Sequence, residues 1–257
     1  MPLRRWLGKP FRGRYTVAMH ANSSPIASSQ IEIHDRLAGE VAKHAATSFL
    51  KPITAYNRAA FDAGIAAWRA AGAPPLILDA GCGVGLSTLH LASRFPDHFV
   101  IGIDRSADRI ARNTQWPGAL PPNCIKVRAD LIDYWRLLHE AGIYPDRHYI
   151  LYPNPWPKKH HLGRRWHGHP LFPTIVALGG YFECRSNWRI YIDECAAALT
   201  QLAGIDVAVE PYRPGAPETT GIAAESCSQP ITPFEQKYLA SGHALWRCRI
   251  QLAASRQ

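Results

Sequence analysis

Apolar positions along the chain follow two patterns, short unbroken runs and longer stretches with an apolar residue every third or fourth place. Leu76, Ile77 and Leu78 form the first run, and such a triplet is what a strand buried on both faces of a parallel sheet presents. Leu89, Ala92 and Phe95 then recur at helical spacing. Further runs predict strands over 99–103, 125–128, 148–152, 181–185, 205–209 and 244–252, with helices over 131–138 and 192–202. Ahead of them, Ile33, Leu37, Val41 and Ala45 repeat every four residues and predict an amphipathic helix within 31–49. A second helix is predicted over 61–70, ended by Gly72 and the Pro74-Pro75 break. A chain of 257 residues without internal repeats is long enough for one large α/β domain.

Between the first strand and its helix stand Asp79, Gly81, Gly83 and Gly85 on alternate positions. Glycines there let the backbone crowd a ligand at the sheet's C-terminal edge, and the free N–H groups of the following helix make the loop an anion site. A phosphate-binding P-loop would need Gly-Lys-Ser/Thr, which is absent. A dinucleotide fingerprint would need a third glycine where Leu86 stands. The pattern Asp79-x-Gly81-x-Gly83-x-Gly85 resembles motif I of class I S-adenosylmethionine (SAM) methyltransferases. The methionyl end of SAM carries a carboxylate, which suits the loop amides, and an ammonium, which Asp79 can orient. A merely tight strand-to-helix turn is the competing reading. Asp104 ends the second strand about twenty residues beyond the loop, where ribose hydroxyls are held in such folds. Asp130 follows the third strand, where the resemblance implies a neighbour for the adenine amine. With Cys82 and Arg105 beside these acids, and Asn154 after the fourth strand, the expected cofactor set is Asp79, Gly81, Cys82, Gly83, Gly85, Asp104, Arg105, Asp130 and Asn154.

Charge adds a partner. The formal net charge is +9 and the pI about 9.4, a balance that favours a polyanion without identifying one. Residues 1–30 hold Arg4, Arg5, Lys9, Arg12 and Arg14 and no acid, which predicts a disordered basic arm, readable as an RNA-binding arm, a transit peptide or a plain tail. Cys82, Cys124, Cys184, Cys195, Cys227 and Cys248 include no C-x-x-C pair. They read as small buried hydrophobes in a reducing cytoplasm, with no metal site. No run of apolar residues is long enough for a membrane span.

The most distinctive words follow the fourth strand: Tyr152-Pro153-Asn154-Pro155-Trp156-Pro157, then Lys158, Lys159, His160, His161, Arg164 and Arg165. Three prolines keep the chain extended and out of a helix, presenting Asn154 and Trp156 beside a run of cations. Here the sequence resembles the bacterial tRNA (guanine-N7-)-methyltransferases. That family carries Pro-Asp-Pro-Trp with a basic cluster, an Asp-Trp pair after its fifth strand, and a Thr-x-Phe-Glu segment near its C-terminus. This chain has Pro153-Asn154-Pro155-Trp156, Asn187-Trp188 and Thr232-Pro233-Phe234-Glu235 in the same order, and the resemblance spans residues 76–252. Both acids that the family places near the target base are asparagine here, Asp79 stands where relatives commonly have Glu, and Pro233 replaces a usual Lys.

The resemblance implies a Rossmann-like class I methyltransferase with a seven-stranded, mostly parallel sheet and helices on both faces. Residues 74–257 would form that domain, 31–73 a helical extension and 1–30 the arm. It implies SAM as cofactor and transfer to N7 of the variable-loop guanine of tRNA, with Asn154 and Asn187 as catalytic candidates. Trp156, Lys158, Lys159, His161, Arg164, Arg165, Asn187, Thr232 and Glu235 would touch the RNA, in a monomer or homodimer. Thr232 and Glu235 also read as a helix N-cap and its capping-box partner. The two asparagines leave other acceptors open, namely an exocyclic base amine or a small heteroaromatic metabolite. A non-catalytic RNA-binding paralogue is the third possibility.

Overall fold

The computed structural model describes residues 22–112, 114, 116–216 and 229–254. Its elements in chain order are α1 (Leu37–Ala45), α2 (Ala55–Ala70), β1 (Leu76–Ala80), α3 (Leu86–Arg94), β2 (Phe99–Asp104), α4 (Ala107–Ala111), β3 (Cys124–Arg128), α5 (Leu131–Glu140), β4 (Arg147–Leu151), α6 (Phe172–Ala177), β5 (Gly180–Ser186), α7 (Arg189–Ala203), β6 (Val209–Tyr212), α8 (Pro233–Ala240) and β7 (Leu245–Leu252). The strands form a seven-stranded mixed sheet in the order β3-β2-β1-β4-β5-β7-β6. This is the Rossmann-like α/β fold expected from the sequence. The described residues fall into two compact units, 52–149 and 22–51 with 150–254, so the helical extension expected over 31–73 is divided between them.

In the first unit, β1 pairs in parallel with β2, and β2 with β3. Ile77, Leu78, Val100, Ile101 and Ile103 lie wholly inside, as their unbroken apolar runs require. Helix α2 begins six residues earlier than the apolar pattern indicates. Thr54 caps it by accepting from the Asn57 N–H, and Asn57 donates to buried Asp133 on α5 at 2.6 Å.

The second unit contains three departures from expectation. Helix α1 starts only at Leu37, and Ile31 and Ile33 are 87% and 44% exposed. The chain before it is committed elsewhere, because the His34 N–H and Gln30 Nε2 both donate to Glu194 Oε1 on α7. Of the arm expected to be disordered, residues 1–21 lie outside the described residues. Residues 22–30 form neither helix nor strand and are held by side-chain hydrogen bonds, and Gln30 is buried. Third, the strand expected over 205–209 is displaced to Val209–Tyr212. Helix α7 ends on left-handed Gly204, and Thr200 Oγ1 takes the Val207 N–H that a strand would have used. Strand β6 lies at the sheet edge, where a proline such as Pro211 is tolerated.

Glu194 is the polar centre of this unit. Fully buried, it accepts from Arg165 Nη1 at 2.6 Å and lies 2.8 Å from His167 Nε2, both also buried. Burial alone would raise its pKa, but the hydrogen bonds and charges of His167 and Arg165 outweigh it and hold Glu194 down at about 2. Its folded pKa therefore lies below the ordinary 4.5, so its contribution is complete above pH 4.5 and is lost as pH falls toward about 2. Glu194→Gln leaves Arg165 buried without a counter-charge and should cost about 3–5 kcal/mol at neutral pH. Urea unfolding across pH should show the wild type's advantage shrinking below pH 4.5; equal midpoints at pH 7 would refute this reading.

Candidate functional site

The glycine loop follows β1 within the first unit. Gly81, Gly83 and Gly85 all have positive φ, at 84°, 58° and 89°, a region that L side chains rarely adopt. Open space lies where a Cβ would stand on Gly81 and Gly83, so the loop offers bare backbone to a ligand. Gly85 is also the N-cap of α3 and supplies no side-chain hydrogen bond to its first turn. That turn's N–H groups remain available to an anion.

Asp79 is buried beneath the loop, and its Oδ2 accepts from Ser87 Oγ and Thr88 Oγ1, each at 2.7 Å. Burial lifts its pKa to about 6 against those two hydrogen bonds. A cation near such a carboxylate would favour its ionised form. Thr88 can come this close to β2 because Gly102 has no Cβ to meet it. Cys82 is buried, and its thiol is pushed well up by burial and by Asp79 and Asp104. It packs in the turn and is no nucleophile.

Asp104 fastens the loop to the end of β2. Oδ2 accepts from the Gly83 N–H at 3.1 Å and lies 3.5 Å from Arg109 Nη1, while Oδ1 accepts from the Ser106 N–H at 2.8 Å. Ser106 in turn caps α4. Arg105 is exposed. Asp130 caps α5 by accepting from the Ile132 N–H, and its own N–H donates to Asn57 Oδ1. Lys126 was not anticipated from the sequence. Its Nζ donates to the carbonyls of Val84 and Arg112, both at 3.1 Å, closing the loop from the side. Ser87 and Thr88 carry a signal in the sequence, two hydroxyls in the first turn after the glycines.

The proline word lies in the second unit. Tyr152 and Trp156 have φ of 52° and 45°, each an unfavourable backbone state costing on the order of 1–3 kcal/mol. Between them Asn154 is exposed, and its Oδ1 accepts from the Trp156 N–H at 3.3 Å. Lys158, Lys159 and Arg164 are exposed, with the Arg164 guanidinium 4.8 Å from the centre of the Trp156 ring. His161 meets that ring edge-on at 5.4 Å. Partial burial, then Arg164 and the other cations around it, hold the His161 imidazole below its usual range.

Three expected RNA contacts prove to be internal. Arg165 is fully buried. Besides Glu194, it donates to the carbonyls of Trp156 and Lys158, so it braces the loop and is closed to a phosphate. Glu235 is also fully buried. Its Oε1 accepts from the Tyr152 hydroxyl and from Arg185 Nη1, and its Oε2 accepts from the Ile231 N–H. The capping reading of Thr232 holds, since its Oγ1 takes the Glu235 N–H at 2.9 Å; Glu235 completes the cap through Ile231 instead of through Thr232 itself. Thr232 is buried as well. The Tyr152 N–H donates to the Arg185 carbonyl at 2.9 Å. The segments after β4 and β5 therefore leave side by side, bringing Asn154 and Asn187 to one end of these strands. Asn187 is half-buried and bonded to His243.

Among the described residues no helix is long and apolar enough to cross a membrane, and no group of three or more His, Cys, Asp or Glu could hold a metal. Residues 73–248 match the Methyltransf_4 family model, described as "Putative methyltransferase". A tRNA (guanine-N(7)-)-methyltransferase of Albidiferax ferrireducens is 26% identical over 67% of this chain and 70% of its own length. For the enzymes of the same name from Paracidovorax citrulli and Nitrosococcus oceani, identity is 28% and 29%, over 74% and 68% of this chain and 73% and 70% of theirs. Among solved structures, a 16S rRNA (adenine(1408)-N(1))-methyltransferase mutant from Catenulisporales acidiphilia with SAM gives a TM-score of 0.48 at 20% identity, over 74% of this chain and 92% of that one. The bare backbone at Gly81 and Gly83, the uncapped α3 and the buried acid beneath them suit SAM, and the chain belongs to the Methyltransf_4 family as a SAM-dependent methyltransferase.

Proposed function

We propose that the chain methylates N7 of a guanine in tRNA, the variable-loop guanine being the expected target. The observation that carries this reading is the exposed Asn154, held between two residues with positive φ and followed directly by Lys158, Lys159 and Arg164. Strained backbone persists where the surroundings impose it, and such positions cluster at ligand sites. Cations beside it suit a phosphate backbone. The names of the curated relatives support the same substrate.

The cofactor supplies a methyl carbon already made electrophilic by its sulfonium. Guanine N7 has a free lone pair, so no residue need remove a proton, and the protein's work is alignment. In this proposal Asp79 faces the ammonium, the loop amides the carboxylate, and Asp104 the ribose. Trp156 offers a face on which a base can stack, and Lys158, Lys159 and Arg164 hold phosphates. Methylation leaves positive charge on the base. A carboxylate ~4 Å away, at an effective dielectric of ~20, would stabilise it by on the order of 4 kcal/mol, whereas the Asn154 amide contributes only a dipole. The same neutral amide favours a second reading, in which Asn154 Oδ1 accepts from an exocyclic amine.

Three outcomes are expected. Asp104→Ala should weaken SAM binding at least about tenfold, about 1.4 kcal/mol; unchanged affinity by calorimetry on folded protein would remove Asp104 from the site. Replacing Lys158 and Lys159 by Gln should weaken tRNA binding and flatten its salt dependence by about two units of slope, leaving SAM affinity intact. Wild-type RNA affinity at every salt concentration would return both lysines to plain surface. For an N7 acceptor, Asn154→Asp should match or exceed wild type in single-turnover methyl transfer, because an anion stabilises the cationic product. For an amine acceptor the same change should slow it. Identifying the methylated nucleoside decides between the two, and an Asn154→Ala protein as fast as wild type would deny Asn154 any part.

A further inference from the structure

His243 stands just beyond α8, where the sequence Ser241-Gly242 dictates the turn. Gly242 takes φ 74°, the Gly242 N–H donates to the Leu239 carbonyl at 3.0 Å, and the His243 N–H reaches back to the Tyr238 carbonyl at 3.0 Å. This pair of bonds is the Schellman ending of a helix, which brings the residue after the glycine against the one five places earlier. The His243 ring accordingly lies on Tyr238, 5.5 Å between centres and 10° from parallel.

With the ring held there, both nitrogens have assigned partners. Nε2 lies 3.0 Å from the Ser23 carbonyl oxygen, and Nδ1 lies 3.1 Å from Asn187 Nδ2. A carbonyl can only accept, so Nε2 must carry the proton. In the neutral ring Nδ1 is then an acceptor and takes a hydrogen from the Asn187 amide nitrogen. That fixes which way the amide points. Among the described residues no donor meets Asn187 Oδ1. Turning the amide over would set its oxygen against the Nδ1 lone pair. Ser23 is itself fixed by its N–H, which donates to Ser241 Oγ at 3.1 Å.

We propose that His243 is a positioning residue that locks the Asn187 amide with its oxygen free to accept a hydrogen bond from the methyl-accepting base. The base must then present a donor to Asn187, as the N1–H and amino edge of guanine does. This rests on the proposed nucleobase substrate. Asn187 touches the base, and His243 acts only through it.

Two substitutions separate positioning from packing. His243→Phe keeps a ring to stack on Tyr238 but has no Nδ1, and it should slow single-turnover methyl transfer to tRNA by up to about tenfold, the worth of one hydrogen bond. SAM affinity should not change. His243→Asn loses the ring but can offer Oδ1 near the former Nδ1, and it should stay closer to wild type than Phe does. A merely structural stack predicts the reverse order, and finding that order would overturn the proposal. In an Asn187→Ala background, His243→Phe should cost nothing further; a full additional loss would also overturn it. Nitrogen NMR of the imidazole gives a reading independent of substrate. A neutral ring protonated on Nε2 supports the lock, and a proton on Nδ1 at neutral pH refutes it. Should the wild-type protein fail to methylate any RNA, the proposed function falls while the tautomer still decides the lock.

Discussion

The buried pair of Arg165 and Glu194 holds the second unit's candidate site in shape. One guanidinium bonds Glu194 on α7, Gln30 near the chain's beginning, and the carbonyls of Trp156 and Lys158 in the proline word. The last two bonds pull Trp156 into a backbone state it would not adopt alone. Such strain is stable only while the carbonyls stay fixed. An arginine does this well, because its planar fork offers several donors in set directions and never loses its charge. Stability and presentation of the loop thus depend on the same buried ion.

The two strained residues are separated by three others, Pro153, Asn154 and Pro155, and they are braced from different sides. Arg165 fixes Trp156. At Tyr152 the hydroxyl donates to Glu235, which also receives Arg185 and the Ile231 N–H. Asn154 is therefore exposed on a segment clamped at both ends. Pro153 and Pro155 limit what remains free, since each fixes its own φ and restricts the residue before it. A residue on so stiff a segment can meet a partner without first losing much conformational entropy.

Features decided within a few residues were legible in the sequence. The strand, glycine loop and helix over 76–95 follow from local rules, and so does the Thr232 cap. Features decided by distant partners were not. Arg165 looked like one more cation beside Arg164, because its counter-ion is 29 residues further on in the chain. Glu235 looked available, and it is the partner of Tyr152, 83 residues earlier. Ile33 fitted a four-residue repeat, yet the chain before α1 is taken up by Glu194, 160 residues from His34. In each case a buried charge is paired with a group far off in the chain, which no local pattern reveals.

The same logic bears on asparagine at position 187. The Ser23 carbonyl requires a proton on His243 Nε2, and a neutral ring then offers Nδ1 only as an acceptor. An amide nitrogen satisfies it. A carboxylate at 187 could not donate, so it would need a second proton on Nδ1 and hence a cationic ring, stacked on Tyr238 within the second unit. Asparagine meets His243 Nδ1 with its amide nitrogen while still showing an oxygen acceptor. Substitution by aspartate at 154 and at 187 is therefore not one change made twice. At 154 it adds a charge to an exposed loop, where solvent and nearby cations can absorb it. At 187 it removes the amide hydrogen offered to His243 Nδ1, on a ring whose place is set by a helix ending and by an anchored segment near the start of the described chain.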